Sequence, residues 1–391
     1  MNDTLLDVKD LQTRIEVEPD PVRAVDGVDF DIHRGETFAV VGESGCGKSM
    51  TALSVLRLLP EAAQVVSGTA RLSGGDLFAL PERDMRNVRG KRVAMIFQEP
   101  ATSLNPVMTV GEQIAEVLAR HVRLSGAAAA RRTVELLDAV GLPSPRHRAG
   151  EYPFQLSGGM KQRVMIAMAL AADPELLIAD EPTTALDVTI QAQVLELLRK
   201  LQKERGMAIL LITHDLGIVA EMAHRVAVMY AGRLVEIANR ERFFAAPAHP
   251  YSRKLFESLP GAARRAGELA VIPGQVPALT ATFRQCRFVD RCDFASGACR
   301  DGEPGWTELA AGHTVRCARV AELAPFARQS QRSAAGLPAA AGAEAGQAAR
   351  ALLAVRDLKV HFPIRRGLLR RTTGRVRAVD GVTLDIPAGR T

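Results

Sequence analysis

Eight consecutive residues, Gly42-Glu43-Ser44-Gly45-Cys46-Gly47-Lys48-Ser49, constrain this chain more than any others. They follow the apolar run Thr37–Val41 (TFAVV) and precede an apolar pattern at Leu53 and Leu56. Glycines at this spacing let the backbone wrap around phosphate oxygens with its N–H groups pointing inward, and the helix that follows turns its positive end to the same point. Gly42, Ser44, Gly45, Cys46, Gly47, Lys48 and Ser49 are therefore assigned to a nucleoside triphosphate. Lys48 reaches its outer phosphates and the Ser49 hydroxyl ligates Mg²⁺. Cys46 fills the loop and is given no catalytic part. A loop of this kind needs a parallel sheet to carry it. The runs Val93–Phe97 (VAMIF), Leu176–Ala179 (LLIA) and Ala208–Thr213 (AILLIT) read as strands buried on both faces. Ile190, Val194, Leu197, Leu198 and Leu201 share one face of a helix between the last two, so the body of the chain is α/β.

The run Leu176–Ala179 ends in Asp180-Glu181, where a phosphate-loop fold holds its magnesium. Asp180 is read as the Mg²⁺ partner and Glu181 as the general base that polarises the attacking water. Further along the chain, LSGGMKQR at 156–163 resembles the signature motif of ABC ATPases. Gln98, after VAMIF, resembles that family's Q-loop glutamine, Ala185-Leu186-Asp187 its D-loop, and His214 its switch histidine. With the Walker A loop at Gly42–Ser49, all stand in the family's order over about residues 5–240. The resemblance implies an ATPase of mixed, mainly parallel sheet with a helical signature subdomain at about 100–170. It implies catalytic roles for Glu181, His214 and Gln98, and makes Gln98 a further Mg²⁺ contact. Ser157, Gly158, Gly159 and Asp187 then join ATP across the interface with a second cassette, where the helix opened by Ser157 adds its positive end. One position departs from the family pattern. Arg14 and Ile15 stand where an aromatic residue usually stacks on adenine, so either the Arg14 guanidinium plane stacks or the base is loosely held.

Composition narrows the setting. The chain has 391 residues, 47% apolar and 24% charged, with ample material for a core. No apolar run approaches the ~20 residues that span a bilayer. The N-terminus lacks the cationic and apolar segments of a secretory signal. The net charge of +6 is concentrated at the end: residues 350–391 carry ten Lys or Arg and three Asp or Glu, while the first 349 carry 40 basic and 41 acidic groups. A nucleic-acid-binding face is not expected.

The chain also repeats itself. AVDGVTLDIPAGRT at 378–391 mirrors AVDGVDFDIHRGET at 24–37, and LLAVRDL at 352–358 mirrors LLDVKDL at 5–11. Four parts are expected: a nucleotide-binding domain at 1–245, a C-terminal region with four cysteines at 246–326, an Ala/Gly-rich linker at 327–350, and at 351–391 the truncated start of a second such domain, ending before a second phosphate loop.

FQEPATSLNP (97–106), YPFQLSGGMKQRVMIAMAL (152–170), THDLGIVAEMAHRVAVMYAGRLVE (213–236), HPYSRKL (249–255) and IPGQVP (272–277) resemble the ATPase subunits of bacterial dipeptide and oligopeptide importers. The repeat resembles fused two-ATPase subunits of that group, including glutathione-type importers; nickel importers are related. The resemblance implies a peripheral subunit on the cytoplasmic face of the inner membrane. Its partners would be permease subunits, a second ATPase domain, subunit or copy, and, indirectly, a periplasmic binding protein. A soluble ABC ATPase of translation or DNA repair is the alternative, but the heptads or basic arm of such proteins are missing. Cys286, Cys292, Cys299 and Cys317 are separated by five, six and seventeen residues. Four thiolates suit a [4Fe–4S] cluster or Zn²⁺, and unmetallated cysteines are the third reading; the importers' equivalent cysteines point to the cluster.

Overall fold

The N-terminal alternation of apolar and polar residues makes a half-buried antiparallel pair. Strands β1 (Thr4–Ile15) and β2 (Val22–His33) pair antiparallel, turning Val25, Val28, Phe30 and Ile32 inward and Asp26, Asp29 and Asp31 outward. The TFAVV run becomes β3 (Thr37–Val41), buried at every position, and helix α1 (Lys48–Leu56) follows the glycine loop. β4 (Ala63–Leu72) and β5 (Gly75–Asp76) complete a four-stranded antiparallel sheet of order β2-β1-β4-β5. This computed structural model describes residues 3–183, 188–258, 272–280, 282–326, 351–366 and 371–387. Contacts divide the chain into two units, residues 1–328 and 329–391.

In the first unit α2 (Glu82–Val88) leads to β6 (Val93–Ile96), one residue shorter than the expected strand. A helical segment follows: α3 (Pro100–Ser103), α4 (Val110–Val117), α5 (Gly126–Ala139), α6 (Pro145–Arg148) and α7 (Gly158–Ala169). Thr109 and Glu112 form a reciprocal capping box at the start of α4. The chain returns through β7 (Leu176–Asp180), α8 (Val188–Arg205), β8 (Ala208–Thr213), α9 (Leu216–Met222), β9 (Arg225–Tyr230) and β10 (Arg233–Asn239). Parallel neighbours β9, β3, β8, β7 and β6 form one side of an eight-stranded sheet, with β6 at its edge. As expected, α8 buries Val194, Leu198 and Leu201 in the core, with Ile190 and Leu197 packed at its margin.

The C-terminal region is more regular than its Pro- and Gly-rich sequence indicates. After α10 (Arg240–Ala245) and α11 (Pro250–Glu257), strands β11 (Thr307–Ala310) and β12 (His313–Val315) extend the main sheet antiparallel through β10. Their alternation is too short to read from sequence.

In the second unit β13 (Ala351–Arg366) and β14 (Arg371–Pro387) form an antiparallel hairpin. Leu353 pairs with Ile386 as Leu6 pairs with Ile32, and Leu358 with Val382 as Leu11 with Val28, so the sequence repeat is also a repeat of register. The expected linker at 327–350 lies outside the described residues.

Candidate nucleotide site

The loop between β3 and α1 is shaped by glycine. Gly47 has φ +109°, and a Cβ there would lie 2.2 Å from the Ala24 carbonyl oxygen; one at Gly42 would lie 2.2 Å from that of Met229. Only hydrogen fits at either position. Lys48 is buried, and its Nζ donates to the carbonyls of Gly42 (2.8 Å) and Glu43 (2.9 Å). Its charge is thus held at the mouth of α1, whose first N–H groups no side chain caps.

The carboxylates of β7 meet this loop. The Ser49 hydroxyl donates to Asp180 Oδ1 at 3.0 Å. Burial, assisted by the neighbouring Glu181 charge, raises the Asp180 pKa above the usual carboxylate range. Two hard oxygen donors with a charge short of compensation suit Mg²⁺. Glu181 adopts a left-handed backbone (φ +46°), with its N–H bonded to the Ile212 carbonyl at 2.8 Å. Gln98 Nε2 donates to Glu181 Oε2 (3.1 Å), and His214 Nδ1 meets Oε1 (3.1 Å). A carboxylate only accepts, so Nδ1 carries a proton. Two residues that follow β6 and β8 thereby fix one carboxylate at the end of β7.

A cavity of about 290 Å³ opens beside these groups. Ser44, Gly45, Gly47, Lys48, Ser49, Gln98 and Glu181 border it on the polar side; Ile15, Val22, Ala24 and Leu279 border it on the apolar side. Arg14 does not line it, so a stacking Arg14 is not what the geometry offers. Ser157 and Gly158 are exposed and do not border the cavity either. Ser157 instead caps α7, its hydroxyl accepting from Met160 N at 3.4 Å. Gln162 ties α7 to the loop after Glu181, through Nε2 to the Pro182 carbonyl at 2.6 Å. Asp187 lies outside the described residues. A larger hollow of about 920 Å³ lies between α4 and α5, and no motif residue lines it.

Sequence reasoning missed how the C-terminal region braces the loop. Glu43 N donates to Tyr251 Oη at 2.8 Å, and Tyr251 is fully buried against Tyr230 and Phe288. Arg291 binds the Glu43 carboxylate through both terminal nitrogens. These contacts span some 200 residues or more and carry no local periodicity; HPYSRKL pointed to its family but not to this contact.

The four cysteines come together only in part. Cys286, Cys292, Cys299 and Cys317 line one small cavity. Yet among the described residues no three His, Cys, Asp or Glu side chains are grouped to hold a metal ion. The expected cluster is thus not reproduced as a ligand set. Burial first, and then the neighbouring cysteines, push the Cys286 thiol up to about 11 and raise Cys292 and Cys317.

Residues 25–184 match the family "ABC transporter", and residues 235–299 match "Oligopeptide/dipeptide transporter, C-terminal region". A probable peptide ABC transporter ATP-binding protein of Sinorhizobium fredii is 53% identical over 323 residues, covering 82% of this chain and 96% of the relative. The chain belongs to the ABC transporter ATP-binding proteins. The dipeptide transport ATP-binding protein DppD of Bacillus subtilis is 47% identical over 80% of this cassette chain and 94% of its own length. The oligopeptide transport ATP-binding protein OppD of Mycobacterium bovis is 44% identical over 99% of this chain, which spans 63% of that relative. A dimeric ATP-binding cassette solved in a post-hydrolysis state with ADP and Pi has a TM-score of 0.56 and 27% identity, covering 60% of this chain and 99% of that one. The cassette is an ATPase of the ABC type. No helix among its described residues is long and apolar enough to cross a membrane.

Proposed function

We propose that this chain is the ATP-hydrolysing subunit of a bacterial importer of di- or oligopeptides, working at the cytoplasmic face of the inner membrane on separate permease subunits that a periplasmic binding protein feeds. The observation that carries the reading is the Glu181 carboxylate, held by Gln98 and His214 beside the Lys48–Ser49 loop in a chain about half identical to peptide-transport ATP-binding proteins.

In this reading Lys48 and the loop N–H groups bind the phosphates, and Glu181 takes a proton from the attacking water. Gln98 and His214 keep its two oxygens aimed, while His214 Nε2 faces the γ-phosphate side. Ser49, Asp180 and Gln98 hold Mg²⁺, which supplies charge neutralisation of the phosphates. Exposed Ser157 and Gly158, with half-buried Gly159 and with Asp187, serve a second cassette in the same way, so that two cassettes sandwich two ATP molecules. Residues 1–245 are the nucleotide-binding domain, with segment 100–170 facing the permease. Residues 246–326 form the cysteine-bearing region, 327–350 the linker and 351–391 the start of a second cassette. The soft, desolvated donors Cys286, Cys292, Cys299 and Cys317 would hold a metal centre, with [4Fe–4S] as the preferred form; it would tie the C-terminal turns together. Loss of visible absorption in Cys292→Ser, with the ATPase head still folded, tests that assignment.

Peptide uptake tests the function as a whole. Cells in which this chain carries Glu181→Gln should lose di- or oligopeptide uptake and keep free amino-acid uptake. Unchanged peptide uptake would count against the reading. Specific ATPase activity that rises steeply with protein concentration is expected if two copies build the composite sites.

A further inference from the structure

The apolar wall of the nucleotide cavity is not made by the N-terminal strands alone. Ile15 and Val22 are register partners at the end of the β1–β2 hairpin, and Leu279 reaches the same cavity from a segment more than 250 residues further along the chain. That segment is fastened there: Arg23 N donates to the Leu279 carbonyl at 2.9 Å, and Arg23 Nη2 reaches Thr282 Oγ1 at 3.4 Å. Three branched aliphatic side chains therefore stand on one side of a cavity whose other side is the phosphate loop. The polar side fits a triphosphate, and the aliphatic side fits a flat, weakly hydrated ring. A purine at the far end of the nucleotide has both chemistries in that order. Among the described residues no aromatic side chain borders the cavity, so the contact area they offer the base comes from aliphatic carbons.

We propose that Leu279 is a nucleotide-affinity determinant which closes, with Ile15 and Val22, an aliphatic slot around the purine base of ATP. The C-terminal region thus completes the nucleotide site from its base end. This rests on the reading of Gly42–Ser49 as the phosphate loop. Leu279 is only half-buried, so its truncation leaves the fold intact.

The test is calorimetric titration of the full chain with Mg–ATP and with Mg–tripolyphosphate, which has the phosphates but no base. Leu279→Ala should weaken ATP binding about five- to tenfold, the loss of most of one aliphatic contact face, while tripolyphosphate affinity stays as it was. Leu279→Phe should restore or tighten ATP binding. Leu279→Trp should give a fluorescence change on adding ATP and none on adding tripolyphosphate, in a chain whose only other tryptophan is Trp306. An unchanged ratio of the two affinities in Leu279→Ala, or an equal loss of both ligands, overturns the proposal. Failure of the unsubstituted chain to bind either ligand overturns instead the phosphate-loop reading beneath it.

Discussion

Arg291 grips Glu43 of the phosphate loop through two parallel hydrogen bonds, Nη1 to Oε2 at 2.8 Å and Nη2 to Oε1 at 2.9 Å. The arginine is buried, donates again to the Pro273 carbonyl at 2.8 Å, and is followed directly by Cys292. A bidentate pair of this kind fixes orientation as well as charge. Glu43→Gln leaves the buried guanidinium without its counter-charge and should cost about 3 kcal/mol of stability. Arg291→Met removes the charge that needs pairing and should cost less. The double variant should lose less than the two single losses combined, because each single change breaks the same pair. Urea denaturation of the four proteins checks this; strict additivity would show that the pair carries no coupling.

Glu181→Gln keeps the shape of the site and removes the base. Turnover should fall at least about a hundredfold while ATP affinity is retained. His214→Ala frees Glu181 Oε1 from one of its hydrogen bonds and should lower turnover about tenfold, since Gln98 still holds the other oxygen. Equal losses in the two variants would mean that His214 acts on substrate directly and not only by positioning.

The local parts of this site were legible in the sequence because local chemistry fixes them. TFAVV, LLIA and AILLIT are apolar without interruption, and each lies in a strand buried along its whole length. Glycine is required where Gly42 and Gly47 pass against backbone carbonyls. Family order supplied Gln98 and His214, which the fold then brings to one carboxylate. Leu279, Tyr251 and Arg291 were not legible. Tyr251 and Arg291 reach the loop, and Leu279 the cavity beside it, from segments with weak periodicity, and nothing in a half-buried leucine or a single arginine marks its distant partner. The extension of the sheet by β11 and β12 was hidden for a similar reason: strands of four and three residues are too short to show alternation.

Asp180 has a raised pKa, burial being the main cause. Between the unfolded carboxylate value and that raised value the folded chain binds more protons than the unfolded one. Stability therefore falls as pH rises through this window, and the deficit persists at neutral pH. Asp180→Asn removes the buried charge and should raise the melting temperature at pH 7 by about 2–4 °C, equivalent to about 1 kcal/mol. The same variant should lose Mg²⁺-dependent hydrolysis. A melting temperature that is unchanged or lower would mean that the charge is already compensated without the cation.

His249 sets a second pH dependence of opposite sign. Its ring is buried, and Nδ1 accepts from Tyr251 N at 3.0 Å, capping the helix that carries the tyrosine against Glu43. Its own N–H donates to Glu236, a buried carboxylate that also receives Ala248 N and His313 Nε2. Burial lowers the His249 pKa to about 4. Between about 6.5, the unfolded value, and about 4, the unfolded chain binds the extra proton, so stability declines as pH falls through that range, by up to about 3 kcal/mol. Glu236 is held below its ordinary value by its hydrogen bonds in spite of burial, and its contribution is lost only on further acidification. Urea midpoints measured between pH 7 and pH 5 therefore precede the loss of the Glu236 contribution, and the shifts of His121 and Asp180 act equally on any variant that leaves them in place. His249→Asn keeps an acceptor for the cap and removes the titration, so its midpoint should decline less over that range than the unsubstituted chain's. Parallel slopes in the two proteins would place the acid sensitivity elsewhere.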